Sequence, residues 1–319
     1  MPRYKLTIAY DGTDFHGWQC QEMAVREGMP LLPSDAVARE DGVMVLRTVQ
    51  DIVQRAVRET VRERVQVVGA SRTDSGVHAK GQVIAFTCSG DDEAHGEGEG
   101  SMTEQAPAAA SEPPPSPKPP QRGVGWPISR GPERLRRALN SRLPDDVQAI
   151  SCEVAPPDFN PIRGATSKAY SYTLHVAPPP PLGEARRALW SRRYVHQLFS
   201  TLDVDRMNQA AALLVGEHDF AGFAAAGHGR VTTNRTNFAC SVTETPGECE
   251  GTRRVRIEVI GSGFLWNMVR IIGGTLVEVG RGRKSLDEVR AALASGDRRL
   301  AGPTLPPTGL CLEWIKYGA

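Results

Sequence analysis

One order of hydrophobic periodicities runs through this chain twice, and that repetition limits the fold more than any other feature. Arg3 to Tyr10 alternates, with Tyr4, Leu6, Ile8 and Tyr10 on one face, the two-residue period of a strand. Thr48 opens a helix with Asp51 three residues on, striped by Val49, Ile52, Val53, Ala56 and Val57 and ending near Arg64. Val65 to Gly69 and Gln82 to Cys88 read as short strands around Ser71 to Gly81, a loop rich in turn formers. Gly131-Pro132 starts a second helix carrying Leu135, Ala138, Leu139 and Leu143, and Val147 to Val154 is a closing strand.

The second pass matches. Ser167 to Val176 alternates, Asp203 caps a helix with Met207, Ala210, Ala211 and Leu214, and Phe238 to Thr245 and Arg253 to Ile260 are strands. A long helix is predicted from near Gly263, a shorter one over Leu286 to Leu293, and a last strand over Leu310 to Tyr317. Strand, helix, two strands, helix, strand is the split βαβ arrangement. The expectation is an α+β fold of two ferredoxin-like halves, residues 1–155 and 156–319, with mainly antiparallel sheets side by side around a basic cleft. Topology alone equally allows a duplicated α+β protein with no nucleic-acid role.

Two stretches break the pattern: 22–47, a long link before the first helix, and 89–120. Ser89 to Pro120 has seven acids, one base and seven prolines, but no aromatic, Val, Ile or Leu, so it cannot build a core and is predicted to be disordered. It carries −6, leaving +7 on the other 287 residues against a formal total of +1. That excess favours a phosphate-bearing partner, and an acidic segment competing with RNA for a basic cleft is a further expectation. Met-Pro-Arg-Tyr-Lys leads straight into a strand with no apolar leader, and no run approaches 18 apolar residues, so a cytoplasmic enzyme is expected. The six cysteines are scattered without a CxxC pair, and no His or Cys spacing suits zinc; reduced thiols and no metal are expected.

Chemistry concentrates in Ser71-Arg72-Thr73-Asp74-Ser75-Gly76-Val77-His78-Ala79, on a loop between strands. Taken alone, Asp74-Ser75-Gly76 is an ordinary β-turn. It also resembles half of an aspartic hydrolase, a minor alternative, since the nearest second triplet, Asp11-Gly12-Thr13, lacks the residue order. In the apolar run Phe264 to Gly274, the residues Gly263, Asn267, Arg270 and Gly274 fall on one helical stripe. A guanidinium there needs an anion, because pairing at about 4 Å under an effective dielectric of about 20 returns about 4 kcal/mol. Asp74 is the natural partner, although a purely structural salt bridge fits the spacing as well. Tyr170, at the start of a strand beside Lys168, is placed to stack on a base and offer its hydroxyl.

Tyr10-Asp11-Gly12-Thr13-Asp14-Phe15-His16-Gly17-Trp18-Gln19, then Arg72 to His78, then Gly81-Gln82-Val83, resemble the TruA-type tRNA pseudouridine synthases. Ala165-Thr166, Tyr170-Ser171-Tyr172, Leu214 to Phe220, Met268-Val269-Arg270 and Gly309-Leu310 follow in that family's order. The resemblance implies isomerisation of uridine to pseudouridine at positions 38, 39 and 40 of the tRNA anticodon stem-loop, without metal or organic cofactor, by a homodimer. On it, Asp74 matches the catalytic aspartate, Tyr170 the tyrosine that stacks on the target base and removes the C5 proton, and Arg270 the arginine paired with the aspartate. Arg72 fits an RNA contact, Leu310 joins the substrate contacts, and Arg163, Lys168, Arg230 and Arg235 are candidates for holding phosphate. Ser71 departs from the family's usual Gly, and Ala169 from its usual basic residue. A tRNA-binding protein of this fold without catalysis is the alternative, opposed by the presence of Asp74, Tyr170 and Arg270.

Overall fold

A computed structural model describes residues 1–23, 37–38, 44–90, 124–179, 182, 186–225 and 232–318. Arg230, residues 91–120 and most of 22–47 lie outside them. In chain order the strands of the N-terminal half are β1 (Arg3–Tyr10), β2 (Glu22–Met23), β3 (Val37–Ala38), β4 (Met44–Val45), β5 (Val68–Gly69), β6 (His78–Thr87) and β7 (Val147–Ala155). Its helices are α1 (Val49–Val61) and α2 (Pro132–Asn140). The C-terminal half holds β8 (Ala165–Ala177), β9 (His196–Phe199), α3 (Val204–Leu213), β10 (Gly216–Asp219), β11 (Asn234–Pro246), β12 (Arg253–Gly261), α4 (Met268–Gly280), α5 (Leu286–Ser295) and β13 (Leu310–Tyr317).

The α+β class and the mainly antiparallel pairing hold, but the halves share one sheet where two were expected. Its order is β10-β11-β12-β8-β13-β6-β1-β7, with β5 on β6 and β9 on β8. The physical reason is β13. One edge pairs antiparallel with β8, and the other, left with unpaired backbone groups, pairs parallel with the start of β6 through Cys311 opposite His78 and Leu312 opposite Ala79. Buried apolar residues of both halves accordingly form one continuous cluster, from Tyr4, Leu6 and Ile8 to Tyr172, Ile257 and Leu276. β2, β3 and β4, which the sequence did not announce, make a separate three-stranded sheet.

Helix ends follow local chemistry. Asp203 accepts from the Arg206 N–H at the start of α3, as expected of a cap. α1 stops at Val61 rather than near Arg64, because Arg62 turns left-handed at φ 55°. The long helix begins at Met268, five residues later than predicted from Gly263. Asn267 precedes it at φ 60°, and its left-handed backbone cannot continue a right-handed helix. Of the predicted polar stripe, only Arg270 and Gly274 therefore lie on α4.

Candidate active site

The loop after β5 carries Asp74, and its bed is the segment after β1. Tyr10 Oη and Thr73 Oγ1 are 2.7 Å apart and buried, the Trp18 N–H donates to the Thr73 carbonyl at 3.0 Å, and the Gly76 N–H to that of Phe15 at 3.2 Å. These contacts bring backbone against backbone, which is why glycines stand there. A Cβ on Gly12 would sit 2.0 Å from the Val77 carbonyl oxygen. One on Gly17, whose φ is +89°, would lie 2.8 Å from that of Thr73. The result is a rigid loop that leaves the Asp74 side chain one-third exposed.

The opposing wall comes from the C-terminal half. Arg270 Nη1 lies 3.3 Å from Asp74 Oδ2 and donates to Asn267 Oδ1 at 2.8 Å, while its Nε donates to the Leu305 carbonyl at 2.6 Å. The Trp266 indole N–H donates to Asp74 Oδ1 at 3.2 Å. Each carboxylate oxygen thus has its own donor, an arrangement that fixes the plane of the carboxylate. Tyr170 on β8 completes the group. It is buried, lies edge-on to Phe264 with centroids 5.3 Å apart, and shares a hydrogen bond of 3.1 Å with Ser71 Oγ. Burial pushes its phenol up to about 12.

The other sequence candidates separate. Arg72 is exposed beside Asp74 with no partner among the described residues, and Arg163 is exposed on the turn before β8. Lys168 donates its ammonium to the Ala70 carbonyl at 2.8 Å, steadying the backbone that enters the Asp74 loop. Arg235 folds back on its own segment, donating to the Thr232 and Asn234 carbonyls, on β11 with β12 between it and β8. Leu310 is buried opposite Tyr172, forming floor rather than surface.

Asp11, the rejected second hydrolase carboxylate, is engaged elsewhere. Its Oδ1 lies 3.2 Å from His78 Nδ1 and its Oδ2 accepts from Tyr194 Oη at 3.0 Å. Burial works against its charge, but bonds from Thr13 and Tyr194 together with His78 hold its carboxyl below the usual range. Sequence reasoning placed Asn267 on the stripe of Arg270 but missed Phe264 and Trp266 as parts of the site, because both read as ordinary apolar residues of one buried helix. The Asn just ahead of Met268, a residue type that tolerates left-handed backbone, was the signal for a break.

A family model described as tRNA pseudouridine synthase matches residues 210–318. The chain is 33% identical over 317 residues to tRNA pseudouridine synthase A 2 of Clostridium perfringens, covering 99% of this chain and 100% of that one. It is 35% identical to tRNA pseudouridine synthase A of Geotalea uraniireducens, with 99% and 100% covered, and 36% identical to that of Solidesulfovibrio magneticus, with 100% and 92% covered. The chain belongs to the tRNA pseudouridine synthase family. Membership in this family of isomerases gives the clustered Asp74, Tyr170 and Arg270 a reaction to be tested against. The family match takes in α4 and β13, while β1, the Asp74 loop and β8 fall in the stretch covered by the full-length synthase relatives. Among the described residues, no helix is long and apolar enough to cross a membrane.

Proposed function

We propose that this chain isomerises uridine to pseudouridine in the anticodon stem-loop of tRNA, at positions 38, 39 and 40, with Asp74 as nucleophile. The observation that carries the reading is the ion pair of Asp74 and Arg270, one group from each half, on a carboxylate still open to solvent. A paired uridine cannot reach it without leaving the stack at a cost of a few kcal/mol, offset by phosphate contacts and by stacking in the pocket. Arg72 and Arg163, both exposed, are the best placed bases for phosphate; Lys168 acts through the Ala70 backbone instead.

Asp74 attacks the uridine, the bond between the sugar and N1 breaks, the base turns, and C5 bonds to the sugar. The carboxylate then leaves unchanged, C5 loses a proton and N1 gains one, so substrate and product are isomers. Tyr170 stacks on the base and receives the C5 proton. No step calls for a metal or an organic cofactor. The active form is a cytoplasmic homodimer bridged by tRNA, and its halves flank a basic cleft that seats the stem.

Tritium release from C5-labelled uridine in an anticodon stem-loop tests the assignment. Wild-type protein should release label at all three positions, whereas Asp74→Ala should bind RNA normally and release none, a loss of more than about 10⁴-fold in turnover. Label release by that variant at the wild-type rate sinks the proposal.

A further inference from the structure

Ser71 Oγ and Tyr170 Oη are 3.1 Å apart, and among the described residues each hydroxyl is the other's sole hydrogen-bond partner. Tyr170 is only 6% exposed, so water competes weakly for its oxygen. Ser71 is held from behind by one fully buried side chain: Gln82 Nε2 donates to the Ser71 carbonyl at 2.6 Å, and Gln82 Oε1 accepts from the Ser71 N–H at 3.2 Å. Lys168 grips the preceding carbonyl, that of Ala70, at 2.8 Å. With the backbone fixed on both sides, the hydroxyl has only its three staggered positions, and one of them meets Tyr170. Ser71 itself is half-buried, so the hydroxyl pair runs from a dry pocket toward solvent.

A phenol raised by burial keeps its hydrogen in the resting protein. It can accept a second hydrogen only by giving up the first. We propose that Ser71 is a positioning residue for Tyr170, receiving the phenolic hydrogen along their shared hydrogen bond as Tyr170 Oη takes the one leaving C5. The bookkeeping closes: the C5–H bond breaks and its electrons restore the ring double bond, a new Oη–H bond forms, the old Oη hydrogen moves to Ser71 Oγ, and the Ser71 hydroxyl hydrogen passes to solvent water. Both hydroxyls end neutral, and one proton has travelled from C5 to water. The inference rests on the reading of Tyr170 as the C5 acceptor.

The test uses the full chain and a tRNA transcript whose target uridine carries deuterium or tritium at C5. Ser71→Ala should lower turnover about ten-fold, less than the roughly hundred-fold or more expected for losing the acid–base group itself, with tRNA affinity within about two-fold of wild type. The C5 isotope effect on turnover should grow, since proton removal becomes slower relative to the other steps. Ser71→Thr, which keeps the hydroxyl, should restore both. In a Tyr170→Phe background, Ser71→Ala should add nothing, the signature of two groups acting as one.

Wild-type turnover and isotope effect in Ser71→Ala, beside a crippled Tyr170→Phe, overturn the inference alone. So does an equal fall in turnover and affinity that Thr fails to restore, which marks a structural role. C5 release by Tyr170→Phe at the wild-type rate instead overturns the reading beneath it.

Discussion

The two sides of the Asp74–Arg270 pair are built by opposite means. The anion sits on a loop fixed through its backbone, by the Thr73 and Gly76 contacts and by approaches so close at Gly12 and Gly17 that no Cβ fits. The cation sits at the start of a buried helix and is fixed through its side chain, by Asn267 Oδ1 and the Leu305 carbonyl. The contrast teaches where each side is fragile. The carboxylate should be sensitive to added bulk beneath its loop, and the guanidinium to lost acceptors around its head.

Substitutions on each side sharpen or break that contrast. The largest expected effect is on the cation itself. Arg270→Met should cut turnover about 100-fold, because a hydrogen bond to a charged group contributes about 1.5–3 kcal/mol, while tRNA affinity stays near wild type. An equal loss in both would make Arg270 an RNA-binding group.

Gly17→Ala is the matching test on the loop side. A Cβ 2.8 Å from the Thr73 oxygen, at φ +89°, should cost about 2 kcal/mol in a urea titration and lower turnover as the loop shifts. A neutral outcome would show the loop to be far softer than its packing implies.

Asn267 separates backbone from side chain in a single position. Asn267→Gly should accept the left-handed conformation at φ 60° yet lose the acceptor for Arg270, lowering turnover by about five-fold with stability nearly unchanged. Asn267→Ala should add a stability loss of about 1 kcal/mol from the strained backbone. Equal stability of the two variants would remove the conformational half of the account.

The smallest effect is expected at the seam. His78 accepts from the Gly12 N–H at 3.0 Å and faces the Thr308 carbonyl at 3.2 Å, tying the Asp74 side of the molecule to the last strand's approach. Burial lowers its pKa from 6.5, outweighing the pull of Asp11. The stability its neutral form contributes is therefore complete above about pH 6.5 and declines as pH falls toward the folded value. His78→Gln should flatten the change in urea midpoint between about pH 7.5 and about pH 5.5. An unchanged slope would mean that other groups carry the acid sensitivity.

Much of the site was legible because its chemistry is concentrated. Asp74, Tyr170 and Arg270 stand in motifs whose residue types are improbable together, and a cation in the apolar Phe264–Gly274 run demanded an anion from elsewhere in the chain. The phosphate candidates read less well. Lys168 and Arg235 look like free surface bases, yet both spend their donors on nearby carbonyls, a use that depends on backbone folded by distant residues. Trp266 was hidden in the same way, as one more apolar residue of a helix that in fact starts two residues later.

The sequence by itself determined the α+β class, the main strands and helices and the residue types gathered in the candidate site. These follow from periodicity and side-chain chemistry, which act over a few residues. Only the tertiary structure decided that the halves share one sheet, that a single asparagine in left-handed conformation turns Trp266 and Arg270 onto the two oxygens of Asp74, and that Gln82 aims Ser71 at Tyr170. Those outcomes join residues from 11 to 233 positions apart, Ser71 with Gln82 and His78 with Cys311, and which backbone edges and side chains meet across such distances is settled by packing the whole chain at once.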